Sequence, residues 1–153
     1  MTANNFTLRR LDLQKMIQAS RIHRAAFDNS LPWLKGLHTP EEDQWFYENY
    51  VFPQCEVWAV FSPDMAGIIT FKTGRIEQLY ILPDFQGHGI GSALLRQAQK
   101  TFPHLQLWTF QRNRQAQQFY EKHGFIAIGK TDGSGNEEKE PDMLYEWRKA
   151  GLI

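Results

Sequence analysis

The feature that most constrains this chain is the run Leu79-Tyr80-Ile81-Leu82-Pro83-Asp84-Phe85-Gln86-Gly87-His88-Gly89-Ile90-Gly91-Ser92, in which three glycines alternate between a strand-like and a helix-like stretch. Arg75 to Leu82 is β-rich and stops at Pro83-Asp84, and from Gly91 onward Leu94, Leu95, Ala98 and Phe102 return to one helical face. A loop without Cβ atoms lets successive amides converge on an anion, and the dipole of the following helix adds to them. The expected occupant is a phosphate or pyrophosphate. Two well-known phosphate loops are excluded. The dinucleotide fingerprint needs a glycine where Ser92 stands, and a P-loop needs a terminal Gly-Lys-Ser/Thr. Taken alone, the motif also fits a tight strand–helix turn that binds nothing.

The rest of the chain alternates helix and strand signals. Leu13, Met16, Ile17, Ser20, Arg24 and Phe27 lie at helical spacing, with Asp12 as N-cap and Leu11 and Met16 placed as a hydrophobic staple. Thr39-Pro40-Glu41-Glu42 predicts a second helix start, with a capping box and a proline at the first helical position. Glu56–Phe61 and Ala66–Lys72 read as a hairpin across Ser62-Pro63-Asp64. Leu105–Phe110 is a strand. Asn113 N-caps a helix carrying Ala116, Phe119, Tyr120 and His123 on one face, and Gly124 suits its C′ position. Phe125–Ile128 and Met143–Trp147 read as the last strands, joined by a polar loop, Asp132 to Glu140, expected to be mobile. The order αα-βββ-α-β-α-ββ predicts a mixed α/β domain over residues 1–153, its sheet antiparallel at first and parallel around the central β-α-β unit.

Composition narrows the function. At 153 residues the chain can bury a core without disulfides or metal. Seventeen Lys+Arg against 17 Asp+Glu argue against a dedicated nucleic-acid binder. The neutrality hides a partition: residues 72–130 hold eight Lys/Arg and three Asp/Glu, while the remainder holds nine and fourteen. A basic half suits a polyphosphate ligand, and an acidic remainder suits a cationic one. No signal peptide or membrane helix is visible, and the single Cys55 fits a reducing compartment, so a cytoplasmic protein with no membrane partner is expected.

Two segments resemble the GNAT superfamily of acyl-CoA-dependent N-acetyltransferases. Gln86-x-x-Gly89-x-Gly91, after the strand Ile76-Glu77-Gln78-Leu79-Tyr80-Ile81, looks like that family's acyl-CoA loop. Asn113-Arg114-Gln115-Ala116-Gln117-Gln118-Phe119-Tyr120-Glu121-Lys122-His123-Gly124-Phe125 resembles its following helix. The resemblance implies a GNAT-like fold and acetyl-CoA as acyl donor. It places the pyrophosphate on the amides of Gln86, Gly87, His88, Gly89, Ile90 and Gly91, with a hydroxyl from Ser92. It runs the pantetheine arm along Leu79, Tyr80 and Ile81, where a β-bulge frees an amide for the thioester oxygen, and sets Asn113 against that arm.

In the family's pattern Tyr120 faces the sulfur and protonates the leaving thiolate. Its place in an apolar stripe equally fits a core aromatic. Glu77, on the strand running into the site, is the expected base for the attacking amine, directly or through water. Regular alternation points it away from Gln78 and Tyr80, and an exposed strand glutamate is the competing reading. The resemblance walls the acceptor pocket with the first helices and the last loop, here Leu31 to His38, Trp45, Phe46 and Tyr50 with Asp132 to Asp142 opposite, and Trp33, Trp45 and Phe46 are the nominated contacts.

Other chemistries fail on spacing. His23, His38, His88, His104 and His123 are scattered, Cys55 has no histidine near it in sequence, and Gly133-Ser134-Gly135 lacks the nucleophile-elbow pattern. Asp132 to Asn136 begins like a calcium loop, but Glu137 and Met143 replace its glycine and final glutamate. No metal is expected. The function expected is acetyl transfer from acetyl-CoA to a primary amine of a small molecule or peptide, by a monomer or homodimer. The rivals are a non-catalytic acyl-CoA sensor and a nucleotide-dependent enzyme.

Overall fold

The computed structural model of the protein describes residues 5–151. Local capping chemistry sets the helices much as the sequence requires. Helix α1, Met16–Ser30, follows a 3-10 turn, Leu13–Lys15, and Asp12 precedes that turn without a side-chain capping bond. Leu11 and Met16 are buried in one apolar cluster. In α2, Pro40–Phe46, the Glu42 amide donates to the Thr39 hydroxyl (3.1 Å) and the Thr39 amide to the Glu42 carboxylate (2.7 Å). The helix then widens into a π-helical turn, Tyr47–Val51, and ends in the single turn α3, Phe52–Gln54.

Strands β2 (Glu56–Phe61), β3 (Met65–Lys72) and β4 (Arg75–Ile81) form an antiparallel meander. Helix α4 (Ile90–Thr101) crosses to β5 (His104–Phe110), α5 (Arg114–Lys122) follows, and β6 (Ile126–Thr131) and β7 (Asp142–Arg148) close the order. The sequence reading lacked one element, the edge strand β1 (Thr7–Arg10), which pairs antiparallel with β2. The result is a mixed α/β fold around a seven-stranded sheet, β1-β2-β3-β4-β5-β7-β6, with β4 and β5 its parallel neighbours.

Side-chain alternation along β3 feeds two apolar layers. Ile68 packs with Met16, Ala19, Ile22 and Tyr47 on the α1 face. Ile69 packs with Leu94, Leu95, Leu105 and Tyr120 on the α4/α5 face. Burial on both faces explains the nearly continuous apolar run of this strand.

Two irregularities position the site. Ile76 pairs with Phe71 and Gln78 with Thr70, so Glu77 is the extra residue of a β-bulge in β4. Ahead of it β4 and β5 share one registered pair, Arg75 with Gln106, and from there they splay. The bulge lies two residues before Leu79, earlier than the stretch where the sequence reading placed it.

Replacing Thr39 with alanine removes the hydroxyl half of the capping box. It should cost about 1 kcal/mol of stability, read from the shift of a urea unfolding midpoint.

Candidate active site

The splay leaves a cavity of about 550 Å³, within the range of small-molecule sites. Ile76 to Ile81 of β4 and Leu107 to Phe110 of β5 form its two edges. Ala26, Phe27, Ser30 and Leu31 wall it from the α1 side, and Ala116, Phe119 and Tyr120 from α5. The cavity therefore runs through the sheet, reached by helices from both faces.

At the loop end, Gly87 and Gly89 take φ of +81° each, the left-handed conformation that glycine tolerates. Gly89 caps α4 without any side-chain bond. The first backbone bond of that turn runs from the Ala93 amide to the Gly89 carbonyl (3.1 Å), and the amides of Gly87 to Ser92 donate to no backbone carbonyl. Unspent donors at a helix N-terminus are what a polyphosphate needs. The Gln86 side-chain amide donates to the Ile81 carbonyl (3.2 Å), which fastens the loop to the strand end. A Cβ on Gly91 would meet the Phe119 ring at 3.2 Å, so this glycine permits close packing of α4 on α5.

Ser92 is engaged differently from the expectation that it offers a hydroxyl proton to phosphate. His123 Nδ1 lies 2.8 Å from the Phe119 carbonyl, which only accepts, so Nδ1 carries the proton. The Ser92 hydroxyl then donates to the free Nε2 across 2.9 Å. Its proton is directed to His123.

Two phenols meet at the centre. Leu79 and Ile81 pack on the α4/α5 face, whereas Tyr80 points to the α1 face, where its ring lies 4.4 Å from that of His23. Tyr120 is 8% exposed and packs against Phe119, Phe125 and Tyr145. It lines the cavity, and its hydroxyl has no protein partner among the described residues. Burial, with the nearby Tyr80 as a smaller cause, raises its pKa above the ordinary tyrosine value. Burial likewise raises Tyr80. Both phenols keep their protons at neutral pH.

Behind Tyr80, His23 Nδ1 and the Tyr47 hydroxyl share a 2.6 Å hydrogen bond. Burial, then the Arg24 charge, lowers the His23 pKa to about 3, so the ring is neutral. Arg24 itself is held in a fork by Asp43 (2.8 and 2.9 Å), and that bond raises its pKa.

The structure brings Leu79, Tyr80, Ile81, Gln86, Gly87, Gly89, Gly91, Ser92, Asn113, Tyr120 and Glu77 to the cavity wall. Asn113 caps α5 by accepting from the Ala116 amide (3.1 Å). His88 lies outside the wall, and the Ile90 side chain is buried in the core. The Glu77 carboxylate pairs with Lys72 (3.4 Å) and Arg75 (3.6 Å). Trp45 is 64% exposed, Phe46 stacks on Tyr50, and neither reaches the cavity. Trp33 sits outside the wall, bound through Nε1–H to Glu140 (3.1 Å) and covered by the Arg112 guanidinium.

Phe27 and Trp108 line the wall although the sequence reading did not single them out as site residues, and Leu31 and Glu138 belong to the two stretches it set around the acceptor. The α1 periodicity marks Phe27 as apolar-face but does not say what that face covers. Cys55 is not part of this wall, and burial, with the nearby Glu77 charge as a smaller cause, pushes its thiol up to about 11.

Comparison with known proteins agrees with this geometry. The profile of the acetyltransferase (GNAT) domain matches residues 53–127. The peptidyl-lysine N-acetyltransferase YiaC of Escherichia coli (strain K12) is 34% identical over 85 residues, covering 54% of this chain and 56% of YiaC. The peptidyl-lysine N-acetyltransferase YjaB of the same organism is 32% identical over 82 residues, 52% of this chain and 56% of that protein. The alignments thus span little more than half the length of these curated relatives. Among solved structures, the solution structure of apo-form YjaB from Escherichia coli superposes with a TM-score of 0.76 at 21% identity, covering 95% of this chain and 99% of that one. The PaiA N-acetyltransferase of Thermoplasma acidophilum, crystallised with coenzyme A, gives 0.70 at 20% identity, covering 94% and 99%.

The splayed parallel pair, the uncapped glycine loop and these matches define one class of fold. The chain belongs to the GNAT acetyltransferase superfamily.

The neutral His23 has a measurable consequence. Between its ordinary pKa near 6.5 and about 3, the unfolded chain binds a proton there that the folded chain refuses, so stability falls as pH falls through that window. The loss attributable to this ring should reach about 1–3 kcal/mol by pH 4. Thermal melts from pH 8 to pH 4 should show a shallower acid limb for His23→Gln than for wild type; parallel curves would count against it.

Proposed function

We propose that the protein transfers an acetyl group from acetyl-CoA to a primary amine by direct attack in a ternary complex. The observation that carries this is the conjunction, in one cavity, of an uncapped glycine loop, a strand seam opened beside it and a buried phenol without a protein partner. The residues present fit the donor. The free amides of Gly87 to Ser92 suit its pyrophosphate, and the open edge of Leu79 to Ile81 offers backbone groups to the pantetheine amides. The activated acetyl group is the chemistry acetyl-CoA supplies.

In this reading the amine nitrogen attacks the thioester carbonyl, a C–N bond forms and the C–S bond breaks. Tyr120 gives its phenolic proton to the departing sulfur, and the proton lost by the amine leaves through water. Raising the phenol's pKa keeps that proton available throughout the working pH range. Glu77 takes part as base only through such water, because Lys72 and Arg75 hold its carboxylate. The names of YiaC and YjaB, both peptidyl-lysine N-acetyltransferases, favour a lysine-type acceptor.

The test is CoA release from acetyl-CoA with a panel of amines, including a lysine peptide. Tyr120→Phe should lower kcat about 10²–10⁴-fold while acetyl-CoA affinity by calorimetry stays within about twofold. Wild-type protein that binds acetyl-CoA but turns over no amine would be the sensor instead. Tighter binding of ATP or NAD than of acetyl-CoA would sink both readings.

A further inference from the structure

Three carboxylates besides the phenols line the cavity: Glu77, Glu138 and Asp142. Two are already spent. Glu77 is held by Lys72 and Arg75. Asp142 accepts from Thr131 and from Asn136 Nδ2 (3.3 Å). Glu138 has neither a hydrogen bond nor an ion pair from its carboxylate among the described residues, and it is half-buried.

The loop that carries Glu138 is built rather than loose, contrary to the mobility expected of it. Glu137 bonds His38 Nε2 (2.7 Å), the Lys139 ammonium donates to the Ser134 carbonyl (2.9 Å), and Glu140 accepts from Trp33 Nε1 (3.1 Å) while Arg112 Nε approaches at 3.2 Å. Asn136 clamps both backbone groups of Glu140 (2.8 and 3.2 Å). Lys139 is held at φ +53°, a conformation a side-chain-bearing residue rarely adopts. Every neighbour from Glu137 to Glu140 is anchored elsewhere, and the side chain left over faces the cavity.

Its charge also has a direction. The Tyr80 phenol feels the Glu138 carboxylate, which helps to raise its pKa. Tyr80 projects to the α1 face, whereas the glycine loop opens α4 on the other. The flanking Glu137 and Glu140 are bonded to His38 and Trp33, which follow α1, so the free negative charge lies on the side of the sheet away from the expected phosphates. A primary aliphatic amine reaches the site as ammonium, and a carboxylate without a competing cation is the natural dock for it.

We infer that Glu138 is the acceptor-selecting residue of this cavity, docking the ammonium of a cationic primary amine on the α1 side of the β4/β5 gap. The inference rests on the acetyltransferase reading and narrows its acceptor to aliphatic cations, a lysine side chain or a free alkylamine, in preference to uncharged amines.

The experiment compares wild type, Glu138→Gln and Glu138→Asp with a lysine peptide, a free aliphatic diamine and an arylamine uncharged at pH 8. Acetyl-CoA affinity by calorimetry is measured alongside. Glu138→Gln should raise KM for the cationic acceptors about ten- to a hundredfold. It should leave kcat within about threefold and acetyl-CoA affinity unchanged, with Glu138→Asp falling between the two. Unchanged KM for the cations, or an equal change for the arylamine, overturns the inference. Loss of acetyl-CoA binding in Glu138→Gln makes the residue structural and overturns it too. Wild type that acetylates only uncharged amines leaves the acetyltransferase standing and removes this docking role. Wild type that acetylates none removes the reading beneath it.

Discussion

The opened seam between β4 and β5 is the constraint on which the rest of the structure depends. Adjacent parallel strands normally satisfy each other's amides and carbonyls, and here the ladder stops after Arg75 and Gln106. The facing edges are left with groups that need a partner. The fold resolves this by widening the gap into a cavity, so the unmade ladder becomes a binding edge for something extended and rich in amides. The glycine loop, the cap of α5 by Asn113 and the phenol of Tyr120 all converge on that gap.

The seam also explains why the site draws on both layers of the protein. Tyr80 belongs to the α1 face and Tyr120 to the α4/α5 face, and in a closed sheet they would be separated by backbone. Through the gap they are close enough for one phenol to influence the other. Each face then contributes its own electrostatics. The α4 side brings unspent amides and a helix N-terminus. The α1 side brings a neutral imidazole, an arginine already neutralised by Asp43, and acidic side chains from the last loop. The basic and acidic partition of the sequence is consistent with this division, with Lys72, Arg75 and Arg112 of the basic half held in ion pairs.

How much was legible beforehand follows from the range of each interaction. Thr39, Pro40 and Glu42 act within one turn, as do Asn113 and Gly124, so their roles could be read directly. The glycine loop was equally readable because its conformation is local. Strand β1 was not, since four mostly exposed residues carry no useful alternation and only pairing with β2 makes them a strand. The bulge at Glu77 is a matter of register between two strands, which periodicity within one strand cannot reveal. Trp33 and Trp45 looked alike as acceptor-side aromatics, yet one is tied to Glu140 and the other lies exposed. Glu138 was legible only as one member of the loop set opposite the acceptor: a glutamate in a polar loop becomes distinctive only when every neighbour's partner is known.

The single registered pair at the seam has a thermal consequence. The sheet is two leaves, β1 to β4 and β5 with β7 and β6, each held by antiparallel ladders. Between the leaves, backbone bonding is minimal, and cohesion comes from apolar side chains such as Leu94 and Leu95 of α4 in one cluster with Leu105 and Leu107 of β5 and Ile69 of β3. Hydrogen-bonded ladders and apolar contacts respond differently to temperature, because apolar association weakens on cooling. The junction that holds the cavity is therefore the cold-sensitive joint of the molecule, while its leaves are not.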